Sequence, residues 1–505
     1  MADTKREIER KYELPECAAV VPDLTGTGGA SVVLPRGVTE LDAVHYDTAD
    51  LRLARASLTL RRRTGGDDAG WHLKFPVATG IRDEIRAPLG DTVPAELAAL
   101  LRSRTRDAEL LPVVRLRTSR DVRRLCDARN TPLAEVSVDA VRAQRLDEGS
   151  ATAVWTEVEV ELADGADPAL LDAVEKKLRR AGLRPASAAS KLDRALTETG
   201  ARATPREERP PSTAGDHVLA YLRAQVAAVV AQDPAVRRDL PDSVHRMRVA
   251  SRRLRSAFRT YRAFLDRTVT DPVAAELKWL AAELGVDRDH EVLSARLRTR
   301  IDALPDTLLL GPVSARLQTW NAERWAGSRE RTLAVLDSER YLALLDALDA
   351  LLADPPLRRR AASPARQALP GRILKIHGRL ADRVDHALAL PPGPERDIAL
   401  HSARKAAKRA RYAAEAARPA LGRPAERFAD RMKAVQSVLG DHQDSVMARE
   451  ALRELAVQAH AAGESAFTWG LLHGEEAARA ERLERRLPEV WARASARKLR
   501  TALTR

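Results

Sequence analysis

Cysteine and aromatic side chains are scarce in this chain. Cys17 and Cys126 are the only cysteines. Two are too few for a disulfide framework, which fits a reducing cytosol. Aromatic residues make up 4%. Bases stack on Phe, Tyr and Trp, so this scarcity disfavours a binder of single-stranded nucleic acid. No run of 18 apolar residues occurs, so no membrane-spanning helix is expected. The first residues, Met1 to Glu7, are charged and contain no apolar signal core, and a cytoplasmic protein is expected.

What is abundant is charge. Among 505 residues, Lys and Arg exceed Asp and Glu by 13, and the pI is near 10.0. Such an excess favours an anionic partner: nucleic acid, an acidic membrane surface or a polyphosphate. Hydrophobic residues make up 44%, enough for large cores. The length suits about three domains.

The first 200 residues read as strands separated by turn clusters such as Thr25–Gly29 and Thr64–Asp68. Side chains alternate across a strand. Glu7, Glu9 and Lys11 therefore share one face, opposite Ile8. Arg61 and Arg63 oppose Leu58 and Leu60. Lys74 opposes Trp71, Leu73 and Phe75. Arg82, Glu84 and Arg86 oppose Ile81 and Ile85. Glu135, Ser137 and Asp139 oppose Ala134, Val136 and Val138. Glu157, Glu159 and Glu161 oppose Val158, Val160 and Leu162. Residues 94–103 and 168–182 look helical.

One such strand is ordinarily a half-buried strand with a solvated face. The set differs, because acids pair with acids and arginines with arginines at two-residue spacing. Like charges so placed repel, and a ligand of opposite sign between them relieves the repulsion. Carboxylate pairs suit Mg²⁺ or Mn²⁺, hard ions that prefer oxygen. Arg and Lys suit phosphate oxygens. The expectation is a barrel with a charged interior that holds a polyphosphate and a divalent metal. No Ser–His or Cys–His couple is evident.

Glu7-x-Glu9-x-Lys11 resembles the signature of the CYTH superfamily, the triphosphate tunnel metalloenzymes. Tyr46-Asp47-Thr48, Leu60-Arg61-Arg62-Arg63, Trp71-His72-Leu73-Lys74, Arg82-x-Glu84, Thr118-x-Arg120, Glu157-x-Glu159-x-Glu161 and Ser190-Lys191 follow in the family's order, over about residues 3–197. The resemblance implies an eight-stranded tunnel that hydrolyses a linear triphosphate with divalent metal. It implies Glu7, Glu9, Glu157 and Glu159 as metal ligands, with Glu84 and Asp139 completing metal or water positioning. It implies Lys11, Arg61, Arg63, Lys74 and Arg120 as a phosphate cradle and Lys191 as the closure of one end. Lys11 and Glu84 would be the catalytic pair. Glu161 shares the face of Glu157 and Glu159, so two or three of these acids are candidates for metal. Arg115 and Arg117 lie on the face opposite Arg120 in a regular strand.

Residues 201–215 lack hydrophobic periodicity and contain Pro205, Pro210 and Pro211, and they are expected to link a domain at 1–200 to one at 216–505. The second part is rich in Ala, Leu and Arg with helical periodicity. Asp233-Pro234 and Asp271-Pro272 read as helix starts. His245-x-x-Arg248-x-x-x-Arg252-Arg253-x-Arg255 recurs as His401-x-x-Arg404-x-x-x-Lys408-Arg409-x-Arg411, 156 residues later. Leu277-Lys278, Leu284-Gly285 and Asp289 recur as Met432-Lys433, Leu439-Gly440 and Asp444, 155 residues later. Two helical bundles are expected, about 216–355 and 366–505, separated by the Pro-rich stretch 354–371. The fold class is α+β: an antiparallel barrel, then an all-α unit.

Offsets of three, seven and ten residues turn by about 300°, 340° and 280°. His245, Arg248, Arg252 and Arg255 thus form one stripe, and His401, Arg404, Lys408 and Arg411 its twin. No acidic residue lies within either motif, and a polyanion laid along both would relieve the repulsion. One His per helix is a poor metal site. The twin motifs, Arg411-Tyr412 and Gln436-x-x-Leu439-Gly440-x-x-x-Asp444 resemble the CHAD family, the conserved-histidine α-helical domains, over about residues 213–500. That resemblance implies polyphosphate binding. The expected ligands are inorganic triphosphate and polyphosphate, with nucleic acid disfavoured and no membrane partner. The alternative is a non-catalytic polyphosphate binder, associated with polyphosphate granules.

Overall fold

A computed structural model describes residues 3–14, 21–146, 150–201, 210–325 and 327–504, with side chains excepted at 3, 286–288 and 325. Two compact units divide the chain, Met1–Glu208 and Arg209–Arg505.

The first unit contains β1 (Asp3–Glu13), β2 (Val32–Asp47), α1 (Arg52–Arg55), β3 (Thr59–Thr64), β4 (Gly70–Ala78), β5 (Ile81–Ala87), α2 (Ala95–Thr105), β6 (Leu111–Cys126), β7 (Pro132–Arg145), β8 (Thr152–Leu162), α3 (Ala169–Arg180), the two-residue β9 (Arg184–Pro185) and α4 (Lys191–Glu198). The antiparallel order β5-β4-β3-β2-β6-β7-β8-β1 closes on itself. Closure falls to β1, whose residues Asp3–Ile8 pair with β5 and Glu9–Glu13 with β8. A barrel so closed has no free edge.

The apolar patches of this barrel's outer face lie under helices. Helices α2 and α3 cover parts of its outer face, and α4 closes one end. Leu97, Leu100 and Leu101 of α2 pack on Leu60, Trp71, Leu73 and Ile85. Leu170, Leu171, Val174 and Leu178 of α3 pack on Val136, Val158 and Val160. Leu192 and Leu196 of α4 pack on Val114, Leu116, Val141 and Trp155, which share the strand faces of Arg120, Asp139 and Glu157. Hydrophobic burial outside the barrel, and at the end that α4 closes, thus holds the sheet, and the rest of the inner face is left to the charged set.

The second unit is helical: α5 (Ala214–Arg237), α6 (Ser243–Thr260), α7 (Arg267–Glu283), α8 (Gly285–Asp302), α9 (Val313–Trp325), α10 (Ser328–Asp337), α11 (Glu339–Ala353), α12 (Ala365–Ala389), α13 (Pro394–Leu421), α14 (Arg423–Ala461), α15 (Phe467–Ala494) and α16 (Arg497–Thr501). Each basic motif occupies one helix, α6 and α13. The second recurring motif spans α7 and α8 in the first copy and the single helix α14 in the second.

Three local expectations are corrected. Most of the expected linker, 202–209, lies outside the described residues, and α5 begins at Ala214, inside the expected span. Thr213 makes a capping box with Asp216 there, satisfying N–H groups that a helix start leaves open. Asp233-Pro234 and Asp271-Pro272 start nothing. Pro234 lies inside α5 and Pro272 inside α7, whose cap is Asp266, accepting from the Thr268 amide. Of the 354–371 stretch, only 354–364 separates helices, because Pro370 sits inside α12. None of the helices described is long and apolar enough to cross a membrane.

Candidate functional site

The barrel encloses a cavity of about 400 Å³ lined mainly by charged side chains. Strand alternation decides this. Glu7, Glu9 and Lys11 project inward from β1, Arg61 and Arg63 from β3, Lys74 from β4, and Arg82, Glu84 and Arg86 from β5. Arg120 and Glu159 come from β6 and β8, and Lys191 from the first turn of α4. Arg115 and Arg117 turn instead to Asp42.

The ion pairs form two connected groups. In the first, Lys191 Nζ lies 2.9 Å from Asp139 Oδ2, 2.8 Å from Glu157 Oε1 and 2.6 Å from Glu159 Oε1. Arg120 donates to Asp139 at 2.8 and 2.6 Å and to Glu159 at 2.7 Å. Lys11 bonds Glu159 and lies 3.2 Å from Glu9. In the second group, Lys74 donates to Glu7 at 2.6 Å and lies 3.4 Å from Glu84. Glu84 also accepts from Arg86 at 2.6 Å, meets His72 Nδ1 at 2.9 Å, and has Arg61 at 3.6 Å. Arg63 pairs with Asp68.

Burial sets the titration of these groups. Burial raises Glu7, and Lys74 offsets it only in part. Burial also pushes Glu84 up, but His72, Lys74 and Arg61 outweigh it and hold the carboxyl well below the usual range. Lys11, Lys191 and Arg120 likewise outweigh burial at Glu159 and hold it low. Lys191 is lowered by burial and raised more strongly by Asp139, Glu159 and Glu157. Glu84 and Glu159 are therefore held ionised and Lys191 charged.

Asp139, Glu157 and Glu159 converge tightly: one ligand atom from each lies within 4.8 Å of the others, and all three are buried. Three carboxylate oxygens around one cationic centre are a donor set for a hard divalent ion, and the Lys191 ammonium stands where such a charge is accommodated. The five acids expected at the metal are thus split. Asp139, Glu157 and Glu159 share one centre, Glu9 reaches it through Lys11, and Glu7 sits with Lys74 and Glu84. Glu161 turns to Lys5. Lys5, His45, Asp68, His72, Arg82 and Arg86 also line or brace the cavity, though no role was expected for them. For Lys5, His72, Arg82 and Arg86 strand parity is the signal: Lys5 shares a face with Glu7, His72 with Lys74, and Arg82 and Arg86 with Glu84.

In the helical unit both basic stripes face one cleft. His245, Arg248, Arg252, His401, Arg404, Lys408 and Arg411 line a cavity of about 660 Å³. Arg255 lines an adjoining one of about 780 Å³, together with Arg252, His401, Arg404 and Lys408. The stripes are less bare than their motifs suggest. Asp289 of α8 grips Arg248 through two bonds of 2.9 and 3.0 Å. Glu415, one turn beyond the motif, accepts from Arg411 at 2.6 Å. Arg252, Arg404 and Lys408 have no carboxylate partner among the described residues. A second acid–histidine group, Asp397, His442 and Glu484, is neutralised by Arg449 and Arg396.

Comparison with known proteins agrees with this division. A CYTH domain model matches residues 5–196 and a CHAD domain model residues 220–453. Uncharacterised proteins from two strains of Mycobacterium tuberculosis are each 40% identical over 501 residues, covering 95% of this chain and 94% of their own. PptA from Streptomyces chartreusis is 22% identical, with a TM-score of 0.47 over 56% of this chain and 99% of its own. The CHAD domain from the plant Ricinus communis is 27% identical, with a TM-score of 0.45 over 58% of this chain and 96% of its own. A putative adenylyl cyclase from Hippeastrum, described as having a dominant triphosphatase activity, is 17% identical, with a TM-score of 0.23 over 40% of this chain and 100% of its own. The chain belongs to the family in which a CYTH domain is joined to a CHAD domain.

Proposed function

We propose that the barrel binds inorganic triphosphate with Mg²⁺ or Mn²⁺ and hydrolyses it to pyrophosphate and phosphate. The helical cleft binds inorganic polyphosphate. The observation that carries the first part is the cationic centre ringed by Asp139, Glu157 and Glu159 beside the basic wall of Arg61, Arg63 and Lys74. A pure anion binder gains nothing from three buried acids there.

A divalent ion held by those three carboxylates supplies charge neutralisation and an activated water. The chain's own groups do the rest. Arg61, Arg63, Lys74 and Arg120 fix the phosphates by charge-assisted hydrogen bonds. Lys11 lies between Glu9 and Glu159, placed to answer negative charge that develops on the departing oxygen. All these dipoles and charges are set before reaction, so little reorganisation is required.

One observation favours a second reading. Lys191 already satisfies the acid cluster, which suits capture without cleavage. Phosphate release from triphosphate, thiamine triphosphate, ATP and long polyphosphate, each with and without metal, separates the two. Release from triphosphate supports the enzyme; binding without release supports capture. For the cleft, Arg252→Ala and Arg404→Ala are expected to weaken long-chain polyphosphate binding about tenfold each, as loss of a charge-assisted bond does. Arg411→Ala, whose charge Glu415 already answers, is expected to change it less than about threefold. Equal affinity in all three variants would remove the cleft from the account.

A further inference from the structure

One side chain of the tunnel stands outside its ion-pair network. His45 on β2 is 4% exposed and lines the cavity, yet neither ring nitrogen has a hydrogen-bond partner. Buried polar atoms in native proteins are almost always satisfied, and an orphan marks a place where water or a ligand belongs. His72 provides the contrast. It is equally buried in the same wall, and both its nitrogens are used, Nδ1 by Glu84 at 2.9 Å and Nε2 by the Asp68 carbonyl at 2.8 Å. His72 is therefore a brace, and His45 is not.

The neighbours of His45 say what it can meet. Its partner across the sheet is Arg61 of the phosphate cradle. The charged groups that act on it are Arg61, Lys191 and Lys74, with His72 next. Burial first, and then these cations, bring its pKa down to about 3. The imidazole is neutral, so it carries one N–H donor and one free acceptor. The other basic groups of the cavity, lysines and arginines, only donate and are positively charged. The carboxylates only accept and are already bonded to cations. A neutral donor beside Arg61 can approach an anion without adding to the repulsion among the cradle cations.

We propose that His45 is a ligand-contacting residue of the tunnel, whose neutral imidazole donates a hydrogen bond to a phosphoryl oxygen held by Arg61. This rests on the triphosphate reading above and adds to it a contact that brings no charge. Loss of the donor weakens the complex, whereas loss of ring shape alone does not.

The test uses the full chain, inorganic triphosphate and EDTA, so that binding is read without turnover. Calorimetry is run on the native protein, His45→Gln, which keeps a donor, and His45→Phe, which keeps a ring. The expected result is roughly tenfold weaker binding for His45→Phe and a change under about threefold for His45→Gln. In the native protein the His45 ring ¹⁵N resonances should shift on addition of triphosphate, which a purely structural residue would not show. Should His45→Phe fail to fold, the native-protein resonances decide alone. Native-like affinity in His45→Phe, or unmoved resonances in a protein that binds triphosphate, would overturn the assignment and leave the tunnel reading intact. A native protein that binds no triphosphate at all would overturn both.

Discussion

Arg248 and Gly285 fit together as one unit. A β-carbon at position 285 would lie 2.7 Å from Nη2 of Arg248, so the guanidinium fills the space that the missing side chain leaves. Through that space Arg248 reaches Asp289, one turn further along α8. The second copy of the repeat has the same pairing, Arg404 against Gly440, with a looser approach of 3.5 Å. The recurring Leu-Gly of the sequence is thus the floor under a recurring arginine.

Substitution of these glycines should separate stability from binding. Ala is favoured over Gly inside a helix by about 1 kcal/mol. Gly440 lies within α14, and the 3.5 Å approach is ordinary contact. Gly440→Ala should therefore raise the unfolding free energy by up to about 1 kcal/mol with polyphosphate affinity little changed. Gly285→Ala must push Arg248 aside and loosen its grip on Asp289. Polyphosphate affinity should change several-fold, with little loss of stability because the displaced group is the end of a flexible side chain. Denaturant titration and polyphosphate binding, measured on both variants, check the contrast.

Lys408 should make the cleft sensitive to pH. Burial, then Arg404 and Arg252, bring its pKa down to about 7, against the weaker pull of Asp444 and Asp289. Between about pH 7 and the ordinary 10.5, the unfolded chain holds a proton that the folded chain has released. By linkage this group's contribution to stability rises with pH across that window, and its penalty is fully present below it. A bound polyanion offsets the neighbouring cations and restores the proton. Polyphosphate binding near pH 8 should therefore take up protons, and affinity should fall as pH rises above 7. Calorimetry in two buffers of different ionisation heat measures the uptake. Lys408→Met should abolish it while raising stability at pH 6.

Glu159 accepts from Lys11, from Arg120 at 2.7 Å and from Lys191 at 2.6 Å. Glu159→Gln leaves buried cations in excess. Breaking a buried pair on one side costs about 3–5 kcal/mol, so the first unit should unfold earlier in denaturant. The same excess should tighten metal-free triphosphate binding while hydrolysis falls. Weaker binding in EDTA would contradict the placement of Glu159 in the tunnel.

The barrel was legible in the sequence because a strand repeats every two residues, so parity alone assigns each side chain to a face. The acids and bases of β1, β3, β4, β5 and β8 fell on one face that way. Parity does not say which acids from different strands meet. That Asp139, Glu157 and Glu159 share Lys191, and that Glu7 goes to Lys74, depends on strand order and stagger. The pairing of Arg248 with Asp289 escaped for a similar reason, since it joins two helices and follows no period. Asp271-Pro272 misled because a proline tolerated in a first turn is also found deeper in a helix, as at Pro272 and Pro370. His45 carried no signal beyond its position two residues before Asp47.

The most direct test follows the phosphorus signals of inorganic triphosphate in the presence of the full chain and Mg²⁺ or Mn²⁺. The account predicts that the triphosphate resonances give way to pyrophosphate and phosphate in equal amounts, that chelation stops this, and that Glu159→Gln slows it at least a hundredfold. Triphosphate that binds the native protein with metal and stays whole would contradict it.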